Sequence, residues 1–439
     1  MPLDAPVTTT RFPASSFMRA HSKRNLTIRQ LSPKRSRRPT LGHAFPSMTH
    51  HAIAATRAPR LPLAGVRVVD LTAMISGPMT TAILADQGAD VIKVEPPGQG
   101  DLIRHLGSSR GGVSAIFQTL NRGKRSIALD LKTPNAHATL AKLVASSDVF
   151  IQNFRPGVAA RLGVDEATLR RHRADLVYVS VSGFGESGPH AQRRVYDIVI
   201  QGASGMAASQ ADPATGKPEL IRNVVCDKIT AVYAAQAITA ALFDRARGGG
   251  GCHVRLAMLD AAVAFLWPDV MQDHTYAGGD VTRGPSLLGI VRIHPTSDGF
   301  ITLLALTDAD FAGVCRAVGR PELATDARFR ASRERLAHAD ELARLLDDAT
   351  ATIATAALCA RLEQEGVACG GVVPPERVHA DPQLEANGLI ARYEDPRFGA
   401  VRIAGPVARF GAERAVPRRL APALGEHTDQ ILAELGLDR

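Results

Sequence analysis

Apolar and polar positions alternate along the chain in blocks of strand length and helix length. The block from Gly65 to Arg104 opens with the apolar run VRVVDL, breaks at Ser76-Gly77-Pro78, continues as the helix-like segment MTTAILADQ and stops at Gly88. A second apolar run, DVIKVE, ends at Pro96-Pro97-Gly98. Strand, helix and strand at this spacing predict a βαβ unit, the smallest piece of a parallel sheet.

The same alternation continues beyond this first unit. It predicts strands at 126–131 and 148–154 and helices at 134–147 and 229–248, the last helix being apolar nearly all round and therefore buried. Repeated alternation of this kind favours a doubly wound, Rossmann-like α/β domain. The first strand–helix turn nevertheless lacks the G-x-G-x-x-G pattern, which argues against an NAD-dependent oxidoreductase.

The predicted elements become shorter from about Asp280 onward. A strand-like run, GFITLLAL, is followed there by helical stretches rich in Ala, Arg and Glu. We therefore predict a smaller α+β domain at 280–380, and a large domain that is built from 61–275 and 381–439.

The net charge of +9 belongs to one end of the 439-residue chain. Residues 1–60 hold eleven of the 52 Lys and Arg residues but one of the 43 acidic residues, so the body has 41 basic and 42 acidic residues. This composition predicts a disordered basic extension; a transit peptide, or a true start at Met48, are the alternatives. Nucleic-acid binding would depend on the extension alone.

The cysteines and the longest apolar runs exclude several classes of protein. Five cysteines are scattered without C-x-x-C spacing, which argues against a disulfide framework and a zinc site. No apolar run approaches 18 residues, so we expect no membrane-spanning helix. The sequence predicts a cytoplasmic protein, or one of the mitochondrial matrix if the extension is a transit peptide.

Asp227 lies in the segment NVVCDKITAVYAAQ, just before the predicted long helix. From the local pattern it is a helix N-cap, because an Asp carboxylate there accepts hydrogen bonds from the free N–H groups of the first turn. A helix N-terminus also holds a carboxylate ionised, which is the state that a nucleophile needs. The two roles are compatible.

The chain resembles the family III CoA-transferases, a group that includes formyl-CoA and carnitine CoA-transferases and the α-methylacyl-CoA racemases. The similarity runs from about Leu61 to the C-terminus and is strongest over the first half of that span. It implies an interlocked homodimer of ring-like subunits. It also implies transfer of CoA from an acyl-CoA thioester to a free carboxylic acid, with the thioester as substrate and without a tightly bound cofactor or metal.

The resemblance assigns roles to particular residues. Asp227 becomes the catalytic nucleophile, which forms an aspartyl anhydride and then an aspartyl-CoA thioester, and Ser76 and Tyr196 are expected in the substrate pocket. Fixed cations suit the phosphates of CoA, and the carboxyl ends of strands are where open α/β sheets bind ligands. The implied CoA groove consists of Leu129, Lys132, Asn153, Phe154, Arg155, Arg161, Arg194 and Arg104.

The Tyr196-Asp197 pair separates the two chemistries of the family. A racemase on the same fold is the alternative function, but racemases carry His-Asp here, and a tyrosine is a poor base at neutral pH. Members specific for formyl-CoA and oxalate have a glutamine where this chain has Ile75, and a glycine-rich lid where it has only Gly278-Gly279. Both departures favour a larger or less polar acyl group, such as a C4–C5 dicarboxylic or branched acid.

Overall fold

The computed structural model describes residues 61–437, apart from 213, 283–290, 412–413 and 418. The predicted basic extension, residues 1–60, lies outside the described residues, as does part of the region compared with the glycine-rich lid.

The described residues form thirteen strands and seventeen α-helices. The strands are β1 (Arg67–Asp70), β2 (Asp90–Glu95), β3 (Ser109–Arg110), β4 (Val113–Ser114), β5 (Arg125–Ala128), β6 (Val149–Gln152), β7 (Val177–Ser182), β8 (His253–Ala257), β9 (Ile293–Thr296), β10 (Gly299–Leu304), β11 (Ala368–Gly371), β12 (Ile390–Asp395) and β13 (Gly399–Ala404). The helices are α1 (Ser76–Asp86), α2 (Ala115–Leu120), α3 (Pro134–Ala145), α4 (Val158–Arg161), α5 (Glu166–Arg170), α6 (Asp197–Ala203), α7 (Met206–Ser209), α8 (Val225–Asp244), α9 (Met258–Leu266), α10 (Gln272–Thr275), α11 (Asp308–Ala317), α12 (Ser332–Ala337), α13 (Ala339–Thr350), α14 (Thr355–Gln364), α15 (Pro375–Val378), α16 (Pro382–Ala386) and α17 (Thr428–Glu434).

Six parallel strands form the central sheet in the order β5-β2-β1-β6-β7-β8. The order runs outward from β1 in both directions, because the chain adds β2 and β5 on one side and then returns to add β6, β7 and β8 on the other. The predicted parallel α/β sheet and its first βαβ unit are confirmed. The direction in which successive strands are added reverses between β1 and β6. Open α/β sheets bind ligands at the carboxyl edge beside such a point.

Both faces of the central sheet are covered by helices. Along β6, Val149 and Ile151 belong to a core shared with α1 and α8, whereas Phe150 belongs to a second core shared with α3, α5 and α17. Alternate residues of a strand point to opposite faces, so a strand buried on both sides reads as a continuous apolar run. This burial explains the apolar runs of the sequence.

A third core lies in the later part of the chain. The antiparallel strands β11, β10 and β9 form a separate sheet, and apolar residues between Ile301 and Val367 pack with it. Helix α17 then returns to the central sheet, where Ile431 joins the second core. The division into a large and a small domain stays a prediction.

Helix α8 begins at Val225, four residues earlier than the pattern predicts. Asp227 therefore lies inside the first turn, and the N-cap position belongs to Val224, so the prediction of an Asp227 N-cap is wrong. The helix is also not wholly buried, because Val232 and Phe243 are more than half exposed.

Four charged side chains, which we call the buried ionic network, meet below the end of β1: Asp70, Lys93, Asp101 and Lys124. None exposes more than 4% of its surface. Asp70 Oδ2 lies 2.9 Å from Lys124 Nζ, and Asp101 Oδ2 lies 3.1 Å from Lys93 Nζ. Burial alone would raise the pKa of Asp70, but the ammonium groups of Lys124 and Lys93, together with hydrogen bonds from Thr72 and Thr81, lower it to about 2.

The network holds the loop between β1 and α1. Lys93 Nζ donates to Thr72 O at 2.8 Å, and Lys124 Nζ donates to Pro78 O at 2.9 Å. The backbone N–H of Met74 donates to Asp101 Oδ1 at 3.1 Å. The loop backbone is therefore fixed on both sides of Ile75 and Ser76.

The substitution Lys124→Met should lower the free energy of unfolding by about 3–5 kcal/mol, because it leaves Asp70 buried without its partner. Arg316→Met is the control, since Arg316 and Glu365 form an exposed ion pair at 2.6 Å whose loss should cost less than about 1 kcal/mol. Urea unfolding at pH 7.5 measures both values. A Lys124→Met loss no larger than that of the control would contradict the structural role of the network.

Candidate active site

A cleft of about 390 Å³ opens at the carboxyl edge of the central sheet. Its walls come from the β1–α1 loop, the residue after β6, the end of β7, the start of α6 and the first turn of α8. Four residues predicted from the sequence line it together: Ser76, Asn153, Tyr196 and Asp227. Tyr196 is the residue before α6 and is 54% exposed.

The half-buried Asp227 carboxylate lies between the starts of two helices. It belongs to the first turn of α8, and it accepts hydrogen bonds from both the hydroxyl and the backbone N–H of Ser76, the first residue of α1. The N-terminus of a helix carries a partial positive charge. Two such charges therefore face one carboxylate.

The pKa of Asp227 is nevertheless raised, from 3.8 to about 6. Burial is the largest cause, and the negative charge of Asp197 adds to it, while the two bonds from Ser76 offset only part of the increase. Burial and Asp197 therefore oppose the helix starts, which favour the ionised carboxylate. A carboxylate with a pKa near 6 is still mostly ionised at pH 7 and is more basic than an ordinary one.

Asp197 and Gln201 hold the chain where it enters α8. The backbone N–H of Asp227 donates to Asp197 Oδ2 at 2.9 Å, and Gln201 Nε2 donates to Asp197 Oδ1 at 2.6 Å. Gln201, which is fully buried, also accepts from Ile221 N at 2.9 Å and donates to Asn223 O at 3.0 Å. The Asp197 side chain thus accepts a hydrogen bond from the backbone of Asp227, and its negative charge raises the pKa of the Asp227 carboxyl.

The β1–α1 loop adopts an unusual backbone conformation. Met74 has φ 69°, and no other described non-glycine residue has a positive φ. Such a conformation costs about 1–3 kcal/mol and persists where surrounding contacts hold it. Asn153 supplies two of them, accepting from Ala73 N at 2.9 Å and donating to Ala73 O at 2.8 Å. A Cβ at Gly77 would lie 2.3 Å from Thr72 Cβ, so the start of α1 packs closely on this loop.

The residues predicted to bind CoA follow two strands of the same sheet. Leu129 and Lys132 come after β5, whereas Asn153, Phe154 and Arg155 come directly after β6. Leu129 and Phe154 pack at the margin of the second core. Four cations are exposed and have no ion-pair partner within the described part of the chain: Lys132, Arg155, Arg161 and Arg194.

Arg104 has a different environment. It is buried, its Nη2 and Nε lie 2.7 and 2.8 Å from the two oxygens of Glu95, and its Nη1 donates to Pro422 O at 3.0 Å. The guanidinium also stacks on the ring of Phe117 at 3.7 Å. Because these contacts occupy all three nitrogens, we correct its assignment to the CoA groove and regard it as structural.

Sequence reasoning missed the supporting residues Asp197, Gln201 and Asp101. Asp197 was considered only as the neighbour of Tyr196, and Gln201 was given no role. The available signal was the spacing of two polar residues four positions apart in the otherwise apolar segment VYDIVIQ, which places both on one face of a helix.

The model of one family, described as CoA-transferase family III, matches residues 63–428. This chain belongs to CoA-transferase family III. It is 36% identical over 390 residues to the succinate–glutarate CoA-transferase of Agrobacterium fabrum, covering 85% of this chain and 96% of that relative. It is 32% identical to the human succinyl-CoA:glutarate CoA-transferase, covering 85% and 86% of the two chains.

Comparison with a solved structure also places similar proteins beside this chain. The crystal structure of a CAIB/BAIF family protein from Brucella suis is similar at a TM-score of 0.76 and 34% identity, covering 86% of this family III enzyme and all of that chain. Within the described residues, no helix is long and apolar enough to cross a membrane, and no group of three His, Cys, Asp or Glu residues could hold a metal. All five cysteines are free thiols.

The substitution Asp227→Asn should raise the free energy of unfolding at pH 8 by about 1–3 kcal/mol. The folded enzyme keeps the Asp227 proton up to a pKa of about 6, whereas the unfolded chain releases it near 3.8. Stability therefore falls as the pH rises between these values and stays lower above them. Urea unfolding at pH 8 and pH 4 checks this, since the gain should nearly vanish at pH 4.

Asp273→Asn is the control, because Asp273 is also acidic in the first turn of a helix, α10, but is exposed. It should change the free energy of unfolding by less than about 0.5 kcal/mol at either pH. Equal stabilities of the wild type and Asp227→Asn at pH 8 would contradict a raised pKa.

Proposed function

We propose that this enzyme moves CoA from an acyl-CoA thioester to a free carboxylic acid through covalent intermediates on Asp227. The observation that carries the proposal is the half-buried Asp227 carboxylate, held in the cleft by Ser76 and raised in pKa to about 6. Such a group is ionised at neutral pH and poorly solvated, as a carboxylate nucleophile needs to be.

The proposed reaction begins when Asp227 Oδ attacks the thioester carbonyl. The C–S bond breaks, which gives a mixed anhydride and CoA thiolate. The thiolate then attacks the aspartyl carbonyl, releasing the first acid as its carboxylate and forming an aspartyl-CoA thioester. The acceptor carboxylate repeats both steps in reverse order and leaves as the new thioester, so Asp227 is regenerated. Backbone N–H groups at the start of α1 suit the oxyanions of these steps.

Exposed cations support a CoA groove along the carboxyl edge of the sheet. Arg155 and Arg161 follow β6, and Lys132 follows β5, three strand spacings or about 14 Å away. Arg194 directly precedes the residues that line the cleft. Cations that are not engaged with protein carboxylates are free to bind the pyrophosphate and the 3′-phosphate of CoA.

Small dicarboxylic acids are the proposed acyl groups. The two sequence relatives described above are named for succinate or succinyl-CoA and for glutarate. Ile75 lines the cleft where oxalate-specific members carry glutamine, which favours an acyl group with a longer apolar stem.

The racemase alternative finds less support in the cleft. A racemase needs a second acid or base for proton transfer on the opposite face of the α-carbon. The two candidates beside Asp227 are Tyr196, a poor base, and Asp197, whose two carboxylate oxygens already accept hydrogen bonds.

A homodimer is part of the proposal. Large apolar side chains on α8, on α9 and directly after α9 are between 45% and 63% exposed: Val232, Phe243, Phe265 and Trp267. Exposed apolar groups concentrated on two neighbouring helices are typical of a subunit contact. The interlocked arrangement and the cytoplasmic location stay predictions.

Incubation in heavy water with succinyl-CoA, a branched acyl-CoA and a panel of small carboxylic acids should produce new CoA esters without α-deuterium, with glutarate among the acceptors. Asp227→Ala should lower this turnover by at least about 10³-fold, since it removes the nucleophile. Asp244→Ala, at the exposed opposite end of α8, is the control and should keep full activity. Mass spectrometry of all CoA esters measures both variants.

Two results would count against this function. An α-deuterated starting ester without any new ester would indicate racemisation, and transfer that survives in Asp227→Ala would place the nucleophile elsewhere.

Arg161→Ala should weaken the binding of CoA by about three- to tenfold, because it removes one charge-assisted contact with a phosphate. Arg333→Ala is matched as an exposed arginine on a short helix, α12, outside the proposed groove, and it should leave the affinity unchanged. Isothermal titration calorimetry with free CoA measures both dissociation constants. Equal affinities would remove Arg161 from the groove.

A further inference from the structure

A chain of hydrogen bonds crosses three strands of the central sheet, from the backbone of Phe154 to the side chain of Glu166. Phe154 N donates to Gln152 Oε1 at 2.7 Å, and Gln152 Nε2 donates to Ser180 Oγ at 3.0 Å. Ser180 Oγ lies 2.8 Å from His253 Nε2, and His253 Nδ1 lies 2.7 Å from Glu166 Oε2. We call these five residues the relay.

The first two bonds of the relay each have one direction. The amide N–H of Phe154 can bond only to the oxygen of Gln152, which turns the amide nitrogen of Gln152 toward Ser180. With a neutral imidazole that carries its proton on Nδ1, the Ser180 hydroxyl donates to His253 Nε2 and Nδ1–H donates to Glu166. Burial, which lowers the pKa of His253, favours this neutral form. Removing one member leaves a neighbour unpaired.

Ser180, His253 and Glu166 have the spacing of a nucleophile, base and orienting carboxylate, but the surroundings of Ser180 exclude nucleophilic catalysis. Ser180 is 7% exposed, its oxygen already accepts from Gln152, and the cleft around Asp227 does not include it. A nucleophile must be reachable by its substrate.

The two ends of the relay lie at the two ends of one segment, residues 154–166. That segment contains α4 and the exposed cations Arg155 and Arg161. Between its ends the segment is also tied to the sheet at Val164, whose carbonyl accepts from the hydroxyl of Tyr178 at 2.8 Å.

The relay also adjoins the β1–α1 loop. Asn153 lies between the relay members Gln152 and Phe154, and its side chain makes both hydrogen bonds to Ala73. The position of the turn after β6 therefore affects the groove on one side and the loop that leads to Ser76 on the other.

We propose that His253 is a positioning residue for CoA binding, which acts through the relay to hold residues 154–166 in the conformation that presents Arg155 and Arg161. This inference rests on the proposed function, because it takes the ligand of those cations to be CoA. His253 does not touch the substrate, and its effect should appear in CoA affinity and in KM for the thioester more than in kcat.

Three variants of the full-length enzyme test the proposal. His253→Leu should weaken the binding of free CoA and raise KM for the thioester by about tenfold, with kcat changed less than about threefold. His253→Gln should restore most of the affinity, because its amide can accept from Ser180 and donate to Glu166. Glu166→Ala interrupts the relay at its partly exposed end, and it should lower CoA affinity even if His253→Leu folds poorly.

His294→Leu is the matched control. His294 is more deeply buried than His253, and its Nδ1 lies 2.7 Å from Asp347 Oδ1, but this pair connects β9 with α13 and not with the groove. The control should lose stability without losing CoA affinity. Amide hydrogen exchange over residues 154–166 should rise in His253→Leu and Glu166→Ala and stay at the wild-type level in the control.

Wild-type affinity in both His253→Leu and Glu166→Ala, or equal impairment of His253→Leu and His253→Gln, would overturn the proposal. If the wild type bound no CoA, the proposed function would fail instead. In that case amide hydrogen exchange tests the positioning role separately, and wild-type exchange over residues 154–166 in His253→Leu and Glu166→Ala would overturn it.

Discussion

The burial of four charges below β1 is the constraint on which the site depends. Asp70, Lys93, Asp101 and Lys124 could not remain ionised there without one another, since an isolated charge at such a depth costs several kcal/mol. Each of the four also has a hydrogen bond to the backbone between β1 and the first turn of α1. The loop can therefore hold Met74 in a left-handed conformation and direct the start of α1 toward Asp227.

At Asp227 two electrostatic effects oppose each other. The starts of α1 and α8 favour the ionised carboxylate, while burial and the nearby charge of Asp197 disfavour it, and the second pair is stronger. The outcome is a carboxylate that is ionised at neutral pH, although its ionised form is less stable than that of an ordinary, exposed carboxylate. This intermediate state suits the proposed nucleophile, which would form and then release acyl and thioester bonds, better than a strongly acidic carboxyl group would.

The supports of the site come from elements far apart in the chain. Asn153 after β6 fixes the loop after β1, Asp197 on α6 fixes the first turn of α8, and the relay connects β6, β7 and β8 with α5. These contacts meet at one edge because parallel strands all end on the same side of the sheet. The cleft and the proposed groove are consequently held by contacts at the same edge of the central sheet.

The sequence by itself determined the parallel α/β fold, the family and Asp227 as the candidate nucleophile, because burial on both faces of a strand leaves a continuous apolar run and because motifs are local. It predicted a long helix near Asp227 but started it too late, since propensity locates helix ends poorly. Only the tertiary structure decided that Arg104 is an internal ion-pair partner, that Asp197 and Gln201 support the site, and that the pKa of Asp227 rises. Desolvation and charge–charge energies depend on distances of a few ångströms between residues that are remote in sequence, and no local pattern records those distances.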